Sequence, residues 1–262
     1  IMTRCRLARR CLLPRAIKGD RLLRPLDLGW AVGILLITST GHPPHRPQAA
    51  PPVSPCPGGP EAEVPDSVQF AIDTGRALDD QDSRKCWYEV AERIARLEAQ
   101  EAPQDPEAQY RLALALGLRA DVEGGRTRVG IADELYRQLQ VVLEMEPDHP
   151  EAQHIFGRLH AGVMRMNRVT RFLATRILGG EALRGASWEQ AEALLIFAEQ
   201  ARPEVPDYHY ELGRLYEDTD RPELAAQEAR HTMDLIPQDP GAESVQRRAR
   251  EMLTRVEEDG GR

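Results

Sequence analysis

Proline cannot sit inside a helix, but it suits the first turn, where its missing N–H has no partner to lose. This chain uses it there repeatedly. Asp105-Pro106 and Asp239-Pro240 set an N-capping aspartate before proline, and His149-Pro150 and Val205-Pro206 keep the proline. Ser187-Trp-Glu-Gln190 is a capping box. After each start, apolar residues recur at three- and four-residue spacing, and from Pro65 onward no strand-like alternation exceeds four residues. Such a chain folds into a series of short helices.

The starts resemble one another. Pro106-Glu-Ala-Gln-Tyr-Arg-Leu-Ala113 aligns with Pro150-Glu-Ala-Gln-His-Ile-Phe-Gly157 and with Pro206-Asp-Tyr-His-Tyr-Glu-Leu-Gly213. The second helices of the units end alike, at Pro147, Pro203 and Pro237. Successive starts at Pro106, Pro150, Pro206 and Pro240 lie 44, 56 and 34 residues apart, and a period of about 34 residues is that of tetratricopeptide repeats. Leu212-Gly213, Tyr216 and Ala225 take the apolar, small, aromatic and small positions of that repeat. Small residues are needed where two helices cross closely. The expected fold is therefore all-α: an α-solenoid of about three tetratricopeptide-type hairpins over 104–262. A degenerate leading pair over 66–103 precedes it, and Asp239–Val256 forms a capping helix. An insertion at 163–186 separates the two helices of the middle unit.

Composition agrees and sets limits. Aromatics are 5% of the 262 residues, too few for an ordinary β-sandwich. The net charge is −8, but residues 1–60 hold nine Lys/Arg and two Asp/Glu, leaving 25 and 40, a net of −15, for the remainder. An acidic body argues against nucleic acid as a partner, because phosphate neutralisation supplies most of such affinity. Residues 1–40 contain the apolar run Leu28–Ile37 behind Arg21 and Arg24, the pattern of an export signal or an uncleaved anchor. The expected location is exported or membrane-anchored, and cytoplasmic otherwise; the alternatives are a buried segment or, given the arginine-rich, acid-poor start, an organelle presequence. In 41–65, a linker follows; eight of the twenty residues from Gly41 to Pro60 are proline. Residues 1–60 are expected to be dispensable for folding. Cys5, Cys11, Cys56 and Cys86 show no zinc spacing, and with none beyond Cys86 the body is expected to lack a disulfide framework.

The residues between the repeat helices carry a further likeness. Gly157-Arg158, Phe172-Leu-Ala174, Ile177-Leu-Gly-Gly-Glu181 and Ala186-Ser-Trp-Glu-Gln-Ala191 resemble the regulator of microtubule dynamics family, whose repeat domain bears such an insertion. Gly124-Gly125 with Val129 and Ile131 resembles the family's preceding loop. The resemblance runs from about Asp105 to Leu253 and implies a helical scaffold without a catalytic centre. A microtubule role is not carried over, because tubulin is acidic and so is this body. With 32 arginines against Lys18 and Lys85 alone, the composition suits an exported protein of a GC-rich bacterium.

Candidate sites follow from repeat register. First helices line the concave face of such arrays. The fifth positions are Tyr110, His154 and Tyr210; the ninth are Leu114, Arg158 and Arg214; and the trailing helix adds Arg248. Three arginines beside two tyrosines suit an acidic or carboxylate-ended peptide. The alternative is internal pairing of Arg158 and Arg214 with Glu151, Glu211 or Glu217. The insertion is basic at Arg165, Arg168, Arg171, Arg176 and Arg184, with an apolar stripe of Met166, Val169, Leu173 and Ile177. It reads as an extension of the first helix packed on the array, or as a patch for a partner or an anionic membrane. His154, His160, His209 and His231 lack metal spacing. Asp79-Asp80-x-Asp82 reads as a solvated turn, and Cys86-Trp87 as core. No catalytic motif is present, and neither cofactor nor metal is expected. The functional expectation is a non-catalytic scaffold holding a protein or peptide; the alternative is a membrane-contact protein using the insertion and the N-terminal segment.

Overall fold

A computed structural model of the chain describes residue 56 and residues 67–178, 181–236 and 242–260. The apolar run, the proline stretch apart from Cys56, and Pro237 to Pro240 lie outside them. The described residues form α-helices and no strand. They are α1 (Val68–Ala77), α2 (Gln81–Glu101), α3 (Pro106–Val122), α4 (Gly125–Met145), α5 (Pro150–Arg165), α6 (Arg168–Leu178), α7 (Glu181–Gly185), α8 (Trp188–Ala201), α9 (Pro206–Asp218), α10 (Pro222–Asp234) and α11 (Ala242–Gly260).

Consecutive helices pair as hairpins: α1 with α2, α3 with α4, α5 with α8 across the insertion, and α9 with α10. The helices α1, α3, α5, α9 and α11 also touch in sequence, so the first helices form one layer. The chain is thus a tetratricopeptide-type array, with α11 closing it through buried Val245, Ala249, Met252 and Val256.

The helix starts behave as their chemistry requires. The Asp105 carboxylate accepts from the Glu107 N–H at 3.1 Å, and Ser187 Oγ accepts from the Gln190 N–H at 3.1 Å. Asp80, read as part of a solvated turn, is the N-cap of α2 and accepts from the Ser83 N–H at 2.8 Å. Between α9 and α10, Asp220 takes a left-handed φ of 59°. Arg221 N–H then reaches Tyr216 O at 2.9 Å and Asp220 N–H reaches Glu217 O at 3.3 Å, which ends α9 in a Schellman motif.

The hairpins close at small residues. A Cβ on Gly157 would stand 2.7 Å from Leu195 Cγ and 3.1 Å from the Ala191 carbonyl of α8. A Cβ on Gly213 would stand 2.8 Å from Met252 Cε and 3.1 Å from Glu228 Cβ. Ala191, Ala198, Ala225 and Ala229 on the facing helices are buried.

Three expectations change. The 44-residue spacing of the first unit is taken up by helix, with α3 of 17 and α4 of 21 residues against 13 each in α9 and α10, and the likeness to a loop at Gly124-Gly125 falls on a two-residue break between them. The insertion does not extend α5. Extended backbone at Met166 ends that helix, and α6 and α7 then fold back onto α4. Asp133 of α4 accepts from the Ala182 N–H at 3.3 Å at the start of α7, whose Ala182 is buried. Finally, Cys86 is not simply core. It is bonded to a buried Cys56, so a disulfide ties the linker to α2. Closing a loop with a sequence separation of 30 stabilises by roughly 3–4 kcal/mol in chain-entropy terms.

Two predictions follow from this packing. Gly157→Leu forces α5 off α8 and costs about 1–3 kcal/mol by overpacking. Gly130→Ala is neutral or stabilises by up to about 1 kcal/mol, since its Cβ meets nothing within 4 Å. Thermal melts of both variants check the register. The other concerns His160, which is 2% exposed beside Phe156, with Nδ1 accepting from the Ser187 N–H at 3.4 Å. Burial pushes its pKa down to about 4, whereas an unfolded histidine titrates near 6.5. Between those values the unfolded chain binds more protons, so stability is lost as pH falls from about 6.5 toward 4. His149 and His209 have raised pKa values and act in the opposite sense, so the comparison is with a variant. His160→Asn, which keeps an acceptor near Nδ1, reduces the stability lost between about pH 7 and pH 5 by roughly 2 kcal/mol in urea unfolding.

Candidate functional site

The first-helix layer borders a cleft of about 880 Å³ built from α3, α4, α5 and α9. Leu114, Leu118, Val129, Leu135, Ile155, Leu159, Val163 and Met166 supply apolar wall. Those of α3 and α5 reach it because each helix turns a three- and four-residue stripe inward, and Val129 and Leu135 come from α4. Five arginines line it, at 126, 128, 158, 165 and 214, against two acids, Asp121 and Glu211. The cleft is therefore cationic within an acidic body.

Most of this charge is held internally. Glu211 is 1% exposed on α9. Arg214, one turn along the same helix, donates to both its oxygens at 3.1 Å. Arg158 reaches across from α5, with Nε 3.4 Å from Glu211 and Nη2 3.1 Å from Asp121 on α3. Burial works against the charge of both arginines, but the facing carboxylates outweigh it and raise their pKa values. Arg165 Nε donates to Asp218 at 2.6 Å. Arg128 Nε donates to the Ala120 carbonyl at 2.9 Å, closing the C-terminal turn of α3. Arg126 stands exposed at the mouth, beside an α4 start where Gly124 offers no side-chain cap.

The predicted groove residues divide by repeat position. All three ninth positions, Leu114, Arg158 and Arg214, line the cleft. None of the fifth positions does, and neither does Arg248. The fifth-position rings are wedged between neighbouring helices. Tyr110 packs 4.5 Å from His149. His154 is buried, stacks 4.3 Å from Tyr208, and its Nε2 lies 3.0 Å from Asp207. Tyr210 is buried under the guanidinium of Arg248 at 4.6 Å, with Arg214 at 5.8 Å. Arg248 also approaches Asp207, at 3.9 Å. Burial counts first against the Asp207 charge, yet His154 and the arginines hold its carboxyl well below the usual range. The expected tyrosine-and-arginine surface is thus an aromatic seam, and the open part is arginine and aliphatic. Internal pairing uses Glu211; Glu151 and Glu217 serve Arg202 and Arg255 instead.

Of the insertion arginines, Arg165 belongs to α5 and the cleft. Arg171 donates to Met164 Sδ at 2.9 Å and Arg176 covers the Phe172 ring at 5.3 Å. Arg168 and Arg184 are exposed, as are Val169 and Phe172, at 69% and 58%. The sequence reading missed Arg126, Arg128 and Asp121, which lie at the α3–α4 junction, outside the aligned repeat positions. Among the described residues no helix is long and apolar enough to cross a membrane.

Comparison with known proteins places the chain. A crystallised tetratricopeptide protein of Thermus thermophilus is similar at 15% identity over 71% of this chain and 89% of that one, with a TM-score of 0.45. MamA of Desulfovibrio magneticus is similar at 17% identity over 75% of this chain and 96% of that one, with a TM-score of 0.37. Nothing about ligand or partner follows from either. No curated protein matches in sequence. The family described as regulator of microtubule dynamics protein 1-3 matches residues 68–257, which span all but the last residues of the helical array. With well over half of its length matched, insertion included, the chain belongs to the regulator of microtubule dynamics family.

Proposed function

We propose that the chain is a non-catalytic scaffold that holds an acidic peptide segment of a protein partner in the α3–α4–α5–α9 cleft. The observation that carries this reading is the surplus of arginine over acid on apolar walls, in a body of net −15. Apolar side chains of the peptide would fill the leucine- and valine-lined floor, and its carboxylates would meet Arg126 and the outer faces of Arg158 and Arg214. The Cys56–Cys86 bond supports an oxidising location and hence the exported reading of the N-terminal segment. The family's name is not extended to a microtubule role for this acidic chain.

Selection of a displayed random peptide library on the full chain tests the proposal. Sequences combining Asp or Glu with a large apolar residue are expected. Removing Arg158 and Arg214 together would strand Glu211, so the discriminating variant is Arg126→Glu. It lowers affinity for the selected peptides roughly three- to tenfold, with a steeper salt dependence in the parent. Enrichment of neutral or basic peptides, or an unchanged Arg126→Glu variant, contradicts the reading.

A second reading rests on exposed Val169 and Phe172 beside Arg168 on α6. In it, the insertion lies on an anionic membrane surface. Flotation of the full chain with vesicles rich in anionic lipid, abolished by Phe172→Ser, is its expected mark. Flotation that is absent, or that Phe172→Ser leaves unchanged, removes it.

A further inference from the structure

The last hairpin, α9 with α10, gathers two histidines and a glutamate away from the cleft. His209 lies on α9, and Glu228 and His231 lie on α10. Glu228 and His231 are three residues apart, so one turn of α10 presents both on one side. His209 Nδ1 is 2.8 Å from Glu228 Oε2, and His231 Nδ1 is 3.7 Å from the same oxygen. One ligand atom from each residue lies within 4.8 Å of the other two. Ligand atoms around a tetrahedral zinc ion stand about 3.3 Å apart, so side-chain adjustments of an ångström or so would close the set.

The ring of His209 is already oriented as a ligand. Its Nε2 is 2.9 Å from the Pro203 carbonyl, so Nε2 carries a proton and donates it there. A backbone carbonyl behind a histidine is the usual outer partner of a metal-binding imidazole, and it directs the other nitrogen inward. A protonated His209 paired with Glu228 accounts for those two residues without any ion. It does not account for His231, whose Nδ1 is too far from that oxygen to hydrogen-bond while its ring stands 5.5 Å from that of His209. The side chain of His231 is 49% exposed, which leaves water access to a fourth position.

We propose that His209, Glu228 and His231 form a binding site for a divalent transition-metal ion, zinc above all. Two imidazoles and one carboxylate suit zinc; magnesium and calcium favour all-oxygen sets. Bound there, the ion ties α9 to α10 beside the Gly213 crossing, where a Cβ on Gly213 would stand 3.1 Å from Glu228 Cβ. It would stabilise the last repeat without reaching the cleft.

Zinc chloride titrated into the full chain, free of any polyhistidine tag, tests the site by calorimetry, with Co2+ absorption as the geometric probe. The parent is expected to bind about one equivalent and to melt higher with zinc than with EDTA. His231→Ala removes a half-exposed ligand and leaves the EDTA melt unchanged, but lowers zinc affinity at least about tenfold and abolishes the zinc-dependent rise. The chain has seven histidines, so binding at other places is separable by this variant. Failure of the parent to bind zinc overturns the site, as does binding that His231→Ala leaves unchanged.

Discussion

Everything in this array hangs on how closely paired helices approach. At Gly157 the α5 backbone lies so near α8 that even a methyl group would meet Leu195 and the Ala191 carbonyl. At Gly213 the α9 backbone meets α10 and the Met252 side chain of α11 in the same way. Because both hairpins close through equivalent small residues, α5 and α9 leave their outer halves free to meet each other. That second contact builds the first-helix layer and brings the ninth positions of successive repeats onto one cleft. A larger residue at either crossing would spoil more than a local contact, since the cleft borrows a wall from each hairpin.

Electrostatics follows from that layer. Bringing α5 against α9 places Arg158 and Arg214 around a single buried carboxylate, Glu211. An unpaired carboxylate there would cost several kcal/mol of desolvation, so the arginines are held as much by the need of Glu211 as by their own. The consequence is a cleft with preset guanidinium positions. Arginines that are already ordered lose less entropy when a ligand carboxylate approaches their remaining N–H groups. Arg126, with its side chain in solvent, offers charge without that preorganisation.

Legibility in the sequence tracked the range of the physics. Helix starts depend on two or three adjacent residues, so Asp105-Pro106 and Ser187 were readable, and both are seen as caps. The small residues at 157, 213 and 225 were readable because the repeat places them at fixed positions. The fifth positions lie outside the cleft, because neighbouring first helices approach so closely that Tyr210 and His154 fill the seam between them. In the insertion, apolar periodicity from Met166 to Ile177 continues in phase with the first helix, and only the extended backbone at Met166, which no residue pattern marks, breaks it. Two further features depend on residues brought together only by folding: Cys56 with Cys86, and His209 with Glu228 and His231. No local spacing announces the first, and the three-residue spacing of Glu228 and His231 gives no sign of His209.

The proposed binding takes place on the first-helix layer, in the cleft that the small-residue crossings create. Hydrogen–deuterium exchange of the full chain, with and without a library-selected acidic peptide, measures this directly. Added protection is expected in the facing turns of α3, α5 and α9 and at the start of α4, with α8 and α10 unchanged. Protection confined to α8, α10 or the α6 insertion, with the first helices unaltered, would contradict it.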